Sequence, residues 1–205
     1  MRPPRALPLL LIASVFAVTL GTITPAIAGV PAGRYAIGDS VMLGAREALI
    51  GYGFRVNADV SRQFVDAVHL VHHLAVGGHL PVNVVVHLGT NGPIDGADCD
   101  ALVRAAGRDR HVYLVTIKVP RPYRDANNRR LRACGRRHAN ASVIDWYALS
   151  RYHRAWFYPD GYHLRPIGRH EYAALLDESV RAAPGRNRAG KGRPLDSCRW
   201  PARAA

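Results

Sequence analysis

The chain has 205 residues, 48% of them hydrophobic, and a formal charge of +13 from 28 Lys+Arg against 15 Asp+Glu. That apolar fraction excludes a largely disordered chain and a multi-span membrane protein, and the length suits one domain. Only Lys118 and Lys191 are lysines, so the basic excess is almost wholly arginine and reads as coding bias before it reads as a partner signal.

Met1–Arg5 carries two arginines, residues 6–20 are almost purely apolar, and Ala26-Ile27-Ala28 follows Pro25. Basic start, apolar run and A-x-A ending are the parts of a secretory signal peptide, with cleavage expected after Ala28; an uncleaved anchor is the alternative. Export places the mature chain in a secreted, extracytoplasmic setting where thiols pair. Three cysteines cannot all pair in one chain, and Cys99 with Cys134 is the favoured bridge because both fall in neighbouring helical segments, which leaves Cys198 unassigned. No later stretch is long and apolar enough to span a bilayer, so the mature form is expected to lack a stable membrane span.

In the mature chain, short apolar runs at 35–38, 54–58, 82–88, 112–117 and 143–144 are strand candidates. Val84, Val85 and Val86 in succession imply burial on both faces, as in a parallel sheet. Helical patterns lie between or after them, at 62–75, 101–106, 125–137 and 167–182, and a further helix is expected to begin near Met42. The alternation predicts a three-layer α/β sandwich with a mostly parallel five-stranded sheet over 29–180. The remaining 181–205 holds seven basic residues against Asp196 alone, a charge of +6 that leaves +5 on the domain. Such a tail is either a solvated end or a means of retention on an anionic cell-envelope polymer, and without interleaved aromatics it does not point to nucleic acid.

Three segments carry chemistry. Gly38-Asp39-Ser40 ends the first strand, where an open α/β sheet exposes residues to ligand, although a serine there is equally a helix cap. Gly89-Thr90-Asn91-Gly92 follows the third strand and can aim an amide N–H into the same crevice, or be a plain turn. In Asp160-Gly161-Tyr162-His163 an acid three residues before an imidazole can orient it as a base.

Together these segments resemble the nucleophile, asparagine and C-terminal Asp/His blocks of the SGNH/GDSL hydrolase superfamily. The stretch from Asp145-Trp146-Tyr147 to Trp156-Phe157-Tyr158-Pro159-Asp160-Gly161 is similar to the extracytoplasmic SGNH domain of peptidoglycan O-acetyltransferases. The resemblance implies a flavodoxin-like fold, Ser40 as nucleophile, His163 as general base, Asp160 as its orienting partner, and no cofactor or metal. It implies an oxyanion hole of the Ser40 and Ser61 backbone N–H groups and the Asn91 amide. Ser61 stands where the family usually has glycine, and Gly92 replaces an acid that often follows the asparagine.

The expected activity is a secreted serine esterase that removes acyl, above all acetyl, groups from cell-envelope carbohydrate or a small ester. One alternative is an O-acetyltransferase module served by a separate membrane protein. Fused transferases carry a membrane domain in the same chain, and the lack of one here tilts toward hydrolysis. A third reading is a catalytically silent envelope-binding domain. His69, His72 and His73 offer metal-like spacing but lie opposite the apolar helical face, with no acid or cysteine to complete a set. Trp156, Phe157 and Tyr158 either wall a pocket or fill the core, and the basic residues of 118–124 either meet an anionic substrate or are solvated.

Overall fold

The computed structural model describes residues 33–182; the signal peptide expected at 1–28, Cys198 and nearly all of the basic segment 181–205 lie outside them. Five strands form one sheet: β1 Arg34–Gly38, β2 Phe54–Ala58, β3 Asn83–His87, β4 His111–Val115 and β5 Ala141–Ile144. All four pairings are parallel, in the order β2-β1-β3-β4-β5. The chain leaves β1 toward one edge and returns after β2 to the far side of β1, so the topological switch lies between β1 and β3. In such sheets that crevice, at the carboxyl ends of the strands, is where ligands bind.

The helices are α1 Ser40–Gly44, α2 Arg46–Gly51, α3 Phe64–Val76, α4 Gly96–Ala106, α5 Arg124–Arg137, α6 Trp146–Ser150 and α7 Pro166–Ala182, with a 3-10 turn at Arg154–Trp156. Strand side chains alternate between two cores, as the period of two requires. Tyr35, Ile37, Val84, Val86, Val112 and Leu114 face α3, α4 and α5, while Ala36, Val85, Tyr113 and Val115 face α1, α2, α6 and α7. The triple-valine run is thus buried on both faces, and the three-layer sandwich expected from the alternation is what forms.

Several boundaries differ from the sequence pattern for local reasons. Helix α4 starts at Gly96, five residues before its apolar stripe, because the Asp95 side chain caps it by accepting from Ala97 N–H. Helices α2 and α6, at six and five residues, are too short to show a period. Trp156 and Phe157 are buried with Trp146 and Tyr172, so they fill the core rather than wall a pocket, while Tyr158 is exposed. Close approach fixes Gly168 in α7, since a Cβ there would sit 2.2 Å from the Trp156 carbonyl oxygen.

Cys99 on α4 and Cys134 on α5 form a disulfide, with Cα atoms 6.3 Å apart. Closing a loop with a sequence separation of 35 disfavours the unfolded chain by about 4 kcal/mol on the chain-entropy account. Asp100 and His138 lie beside Cys134, but its sulfur is committed to the disulfide, and Asp100 instead accepts hydrogen bonds from Arg137 and His138. His69, His72 and His73 are on the exposed side of α3.

Candidate active site

Three of the sequence-predicted residues meet above the switch point. Ser40 is the first residue of α1, directly after β1, and its Oγ–H donates to His163 Nε2 at 3.0 Å. His163 Nδ1–H donates to Asp160 Oδ2 at 2.8 Å, and Asp160 Oδ1 accepts the backbone N–H groups of Tyr162 and His163, both at 3.0 Å. Partial burial pushes the Asp160 carboxyl up, but the three hydrogen bonds outweigh it and leave the group below its ordinary value. An ionised Asp160 is acceptor-only. It therefore fixes the imidazole proton on Nδ1 and leaves Nε2 to take the serine proton.

The His163 loop is held from the sheet side. Lys118, just beyond β4, donates Nζ–H to the Gly161 carbonyl and lies 3.7 Å above the Phe157 ring. Phe157 and Leu164 also bridge the two ends of that loop. The resulting turn places Asp160 and His163 on one side, three residues apart, as the spacing implied.

Asn91 lies in the loop after β3, beside Ser40, but its amide does not hang free in the crevice. Nδ2 donates to Asp39 Oδ2 and to the Arg62 carbonyl, both at 3.3 Å. These are long hydrogen bonds, and a developing oxyanion is a stronger acceptor than either partner. Asn127, buried on α5, braces the same loop: its Oδ1 accepts Ile94 N–H at 2.8 Å, and its Nδ2 donates to the Gly89 and Gly92 carbonyls at 3.0 and 2.8 Å. Gly89 adopts φ +112°, and a Cβ there would press on Ile94.

Ser61, in the turn between β2 and α3, has φ +61° and is the single non-glycine residue with positive φ among the described residues. That conformation explains why glycine is usual at such a place. Arg62 clamps the turn, donating to the Asn57 carbonyl at 2.6 Å, the Asn57 side chain at 2.8 Å and the Gly38 carbonyl at 3.3 Å.

Asp39, between Gly38 and Ser40 of the first motif, supports the site although its place in the sequence does not mark it as buried. Fully buried, it accepts from Val41 N–H at 3.0 Å, from the Thr90 hydroxyl and from Asn91. Burial raises its pKa to about 6 against the opposing pull of the Val41 N–H and nearby His163. A groove of about 470 Å³ opens next to this centre, lined by Thr90, Asn91, Arg121, Pro122, Tyr123 and Tyr162.

A serine hydrogen-bonded to an imidazole that a carboxylate orients is an arrangement for acyl transfer. No family model matches the chain. Among curated proteins, Bacillus subtilis YrhL, a candidate peptidoglycan O-acetyltransferase, is 32% identical over 149 residues, covering 72% of this chain and 23% of YrhL. The O-acetyltransferase OatA of Staphylococcus aureus is 34% identical over 155 residues, 70% of this chain and 24% of OatA. The match therefore spans about a quarter of the length of these relatives. Among solved structures, the C-terminal catalytic domain of Streptococcus pneumoniae peptidoglycan O-acetyltransferase A superposes with a TM-score of 0.67 at 25% identity, covering 76% of this chain and 96% of that domain. A family 3 carbohydrate esterase of Clostridium thermocellum shares the fold, with a TM-score of 0.58 at 14% identity over 72% of this chain and 94% of the esterase. Sheet order, site geometry and these relatives agree, and the chain belongs to the SGNH/GDSL hydrolase superfamily of ester-acting enzymes.

Proposed function

We propose that the chain is an extracytoplasmic serine esterase that removes acetyl groups from cell-envelope carbohydrate through Ser40, His163 and Asp160. The observation that carries this reading is the continuous relay from Ser40 Oγ through His163 to Asp160, at 3.0 and 2.8 Å. His163 Nε2 takes the Ser40 proton as Oγ bonds to the ester carbonyl carbon. The carbonyl oxygen becomes an oxyanion facing the Asn91 amide and the Ser40 and Ser61 N–H groups. As the tetrahedral species collapses, the bond to the sugar oxygen breaks and His163 returns its proton to that oxygen. The acetyl-serine is then resolved by water, activated by the same His163.

Replacing that water by a sugar hydroxyl turns the same residues into an O-acetyltransferase. The names of the S. aureus and S. pneumoniae relatives favour this second reading. An oxidising location outside the cytoplasm accords with the Cys99–Cys134 disulfide and with a leader over residues 1–28.

The deciding experiment is release of acetate from a chromogenic acetyl ester by wild type and by Ser40→Ala, with and without a glycan acceptor. Turnover by wild type without acceptor, lowered more than about 1,000-fold by Ser40→Ala, is expected. Turnover only with acceptor replaces the esterase by the transferase. Equal rates for the two proteins overturn the serine assignment, and no release under either condition leaves a binding domain.

A further inference from the structure

A second cavity, of about 210 Å³, also borders the Asp160–His163 loop: Gly161 lines it together with Lys118, Arg124, Tyr147 and Arg151, while the neighbouring Tyr162 lines the groove beside Asn91. Three cations converge there with no acidic residue in the wall. Lys118 has no carboxylate within ion-pair distance among the described residues; its amine is spent on the Gly161 carbonyl and the Phe157 ring. Arg151 likewise has none and stacks on the exposed Tyr152. Arg124 spans Tyr147 and is paired with Asp125, an exposed partner that a ligand can displace at little cost. Asp160, whose charge reaches Lys118, is committed to His163.

We infer that this cavity is an anion subsite: Lys118, Arg124 and Arg151 receive a carboxylate or phosphate carried by the sugar whose ester is held at Ser40, or by its neighbour. The chemistry of the wall selects an anion over a neutral hydroxyl, since a guanidinium fork matches planar and tetrahedral oxyanions alike. Burial and the nearby Arg124 charge already push the Lys118 ammonium below its ordinary pKa, against a smaller opposing pull from Asp160, so an incoming anion meets a cation that its surroundings have left under-compensated. Proximity follows from the loop itself: Gly161 lines the cavity and is two residues from His163, and two Cα steps span at most about 7 Å. A further 3.0 Å separates His163 Nε2 from Ser40 Oγ, so the cavity and the serine fall within the span of adjoining sugar units of one polymer. The subsite deepens the esterase reading, whose substrate class it narrows to acetylated acidic carbohydrate. It also gives the basic residues after β4 a part in recognition rather than simple solvation.

The test is binding, kept apart from turnover. Ser40→Ala protein, which retains the cavity, is titrated with an acetylated hexuronic acid and its methyl ester, and with an acetylated hexose phosphate and the uncharged hexose ester. About tenfold tighter binding of a charged member over its uncharged counterpart at low ionic strength is expected, weakening in 0.5 M salt. The advantage disappears when Arg151→Glu is added; Arg151 is exposed and caps the short α6, so this variant leaves the His163 loop its Lys118 contact. Which charged ligand shows the advantage identifies carboxylate or phosphate as the group. Equal binding of charged and uncharged members overturns the subsite, whatever the wild-type esterase does. An advantage that survives both Arg151→Glu and Lys118→Gln places the anion elsewhere and overturns it too. Preferred binding of the anion with no wild-type turnover of any ester removes the esterase reading and leaves the subsite standing.

Discussion

Ser61→Gly separates a backbone role from a side-chain role at the weakest-matched position of the site. Ser61 sits at φ +61°, a left-handed conformation that costs an L-residue with a Cβ roughly 1–2 kcal/mol and glycine nothing. Glycine loses more backbone freedom on folding, which returns roughly 0.5–1 kcal/mol, so the net gain is about 0.5–1 kcal/mol. For a domain of about 150 residues that is a rise of about 2–3 °C in Tm. The turn is otherwise held by Arg62 on the Asn57 and Gly38 carbonyls, contacts that do not involve the Ser61 side chain. The N–H proposed for the oxyanion hole is therefore kept, and kcat/KM on an acetyl ester is expected to stay within about threefold of wild type. Thermal unfolding and steady-state turnover of the purified variant check both halves. A loss of more than tenfold in kcat/KM together with a higher Tm makes the hydroxyl, not the N–H, the donor. A lower Tm refutes the strain argument itself.

Asn91→Ala removes the side-chain donor proposed for the oxyanion, and turnover of an acetyl ester is expected to fall about 100- to 1,000-fold in kcat with little change in KM. Asp39, with a pKa raised from 3.8 to about 6, holds its proton more tightly in the folded chain than in the unfolded one. Its contribution to stability is thus fully present below pH 3.8 and is lost as pH rises through about 6, a change of roughly 3 kcal/mol. Urea unfolding at pH 4 to 7 shows this as a steeper decline for wild type than for Asp39→Asn, and an equal or reversed slope contradicts it. Gly168→Ala gains about 1 kcal/mol in helix propensity, but a Cβ 2.2 Å from a backbone oxygen forces α7 away from the 3-10 turn. Overpacking wins, and a Tm several degrees below wild type is expected in a melting experiment.

The strands and the three motif segments were legible because buried parallel strands write themselves as valine runs and because Ser40, Asn91, Asp160 and His163 each directly follow such a run or close a short loop. The supporting polar residues were not. Asn127 and Asn128 sit in α5 between charged residues and look solvated in sequence, yet both are buried and bond to loop backbones after β3 and β4. Nothing in a helical period distinguishes an asparagine that braces a distant loop from one that faces water, since the partner atoms are backbone and carry no residue identity. The same holds for Arg62, whose three acceptors are contributed by segments 5 and 24 residues away. The conformation of Ser61 was foreseeable only as a question raised by an absent glycine.

Asp39 shows why the residue between glycine and serine matters to the whole centre. At neutral pH its carboxylate is an acceptor facing donors on every side: the Val41 N–H at the start of the serine helix, the Thr90 hydroxyl and the Asn91 amide. An amide in its place turns an N–H₂ toward the Asn91 N–H₂, donor against donor, so Asp39→Asn removes the charge but also loses the acceptor that holds Asn91. The buried charge costs about 3 kcal/mol of stability above pH 6, and that cost is borne at the point where β1 and β3 deliver Ser40 and Asn91. By contrast, Asp160 and His163 are more than a third exposed and are held by backbone N–H groups within their own loop and by Lys118. The site is thus divided into a rigid half, where geometry between two strands is fixed by a buried ion, and an open half, where the base meets solvent and substrate. Such a division suits acyl transfer, in which the attacking and stabilising groups must not move while the base passes a proton to the leaving alcohol and then receives one from the acyl acceptor.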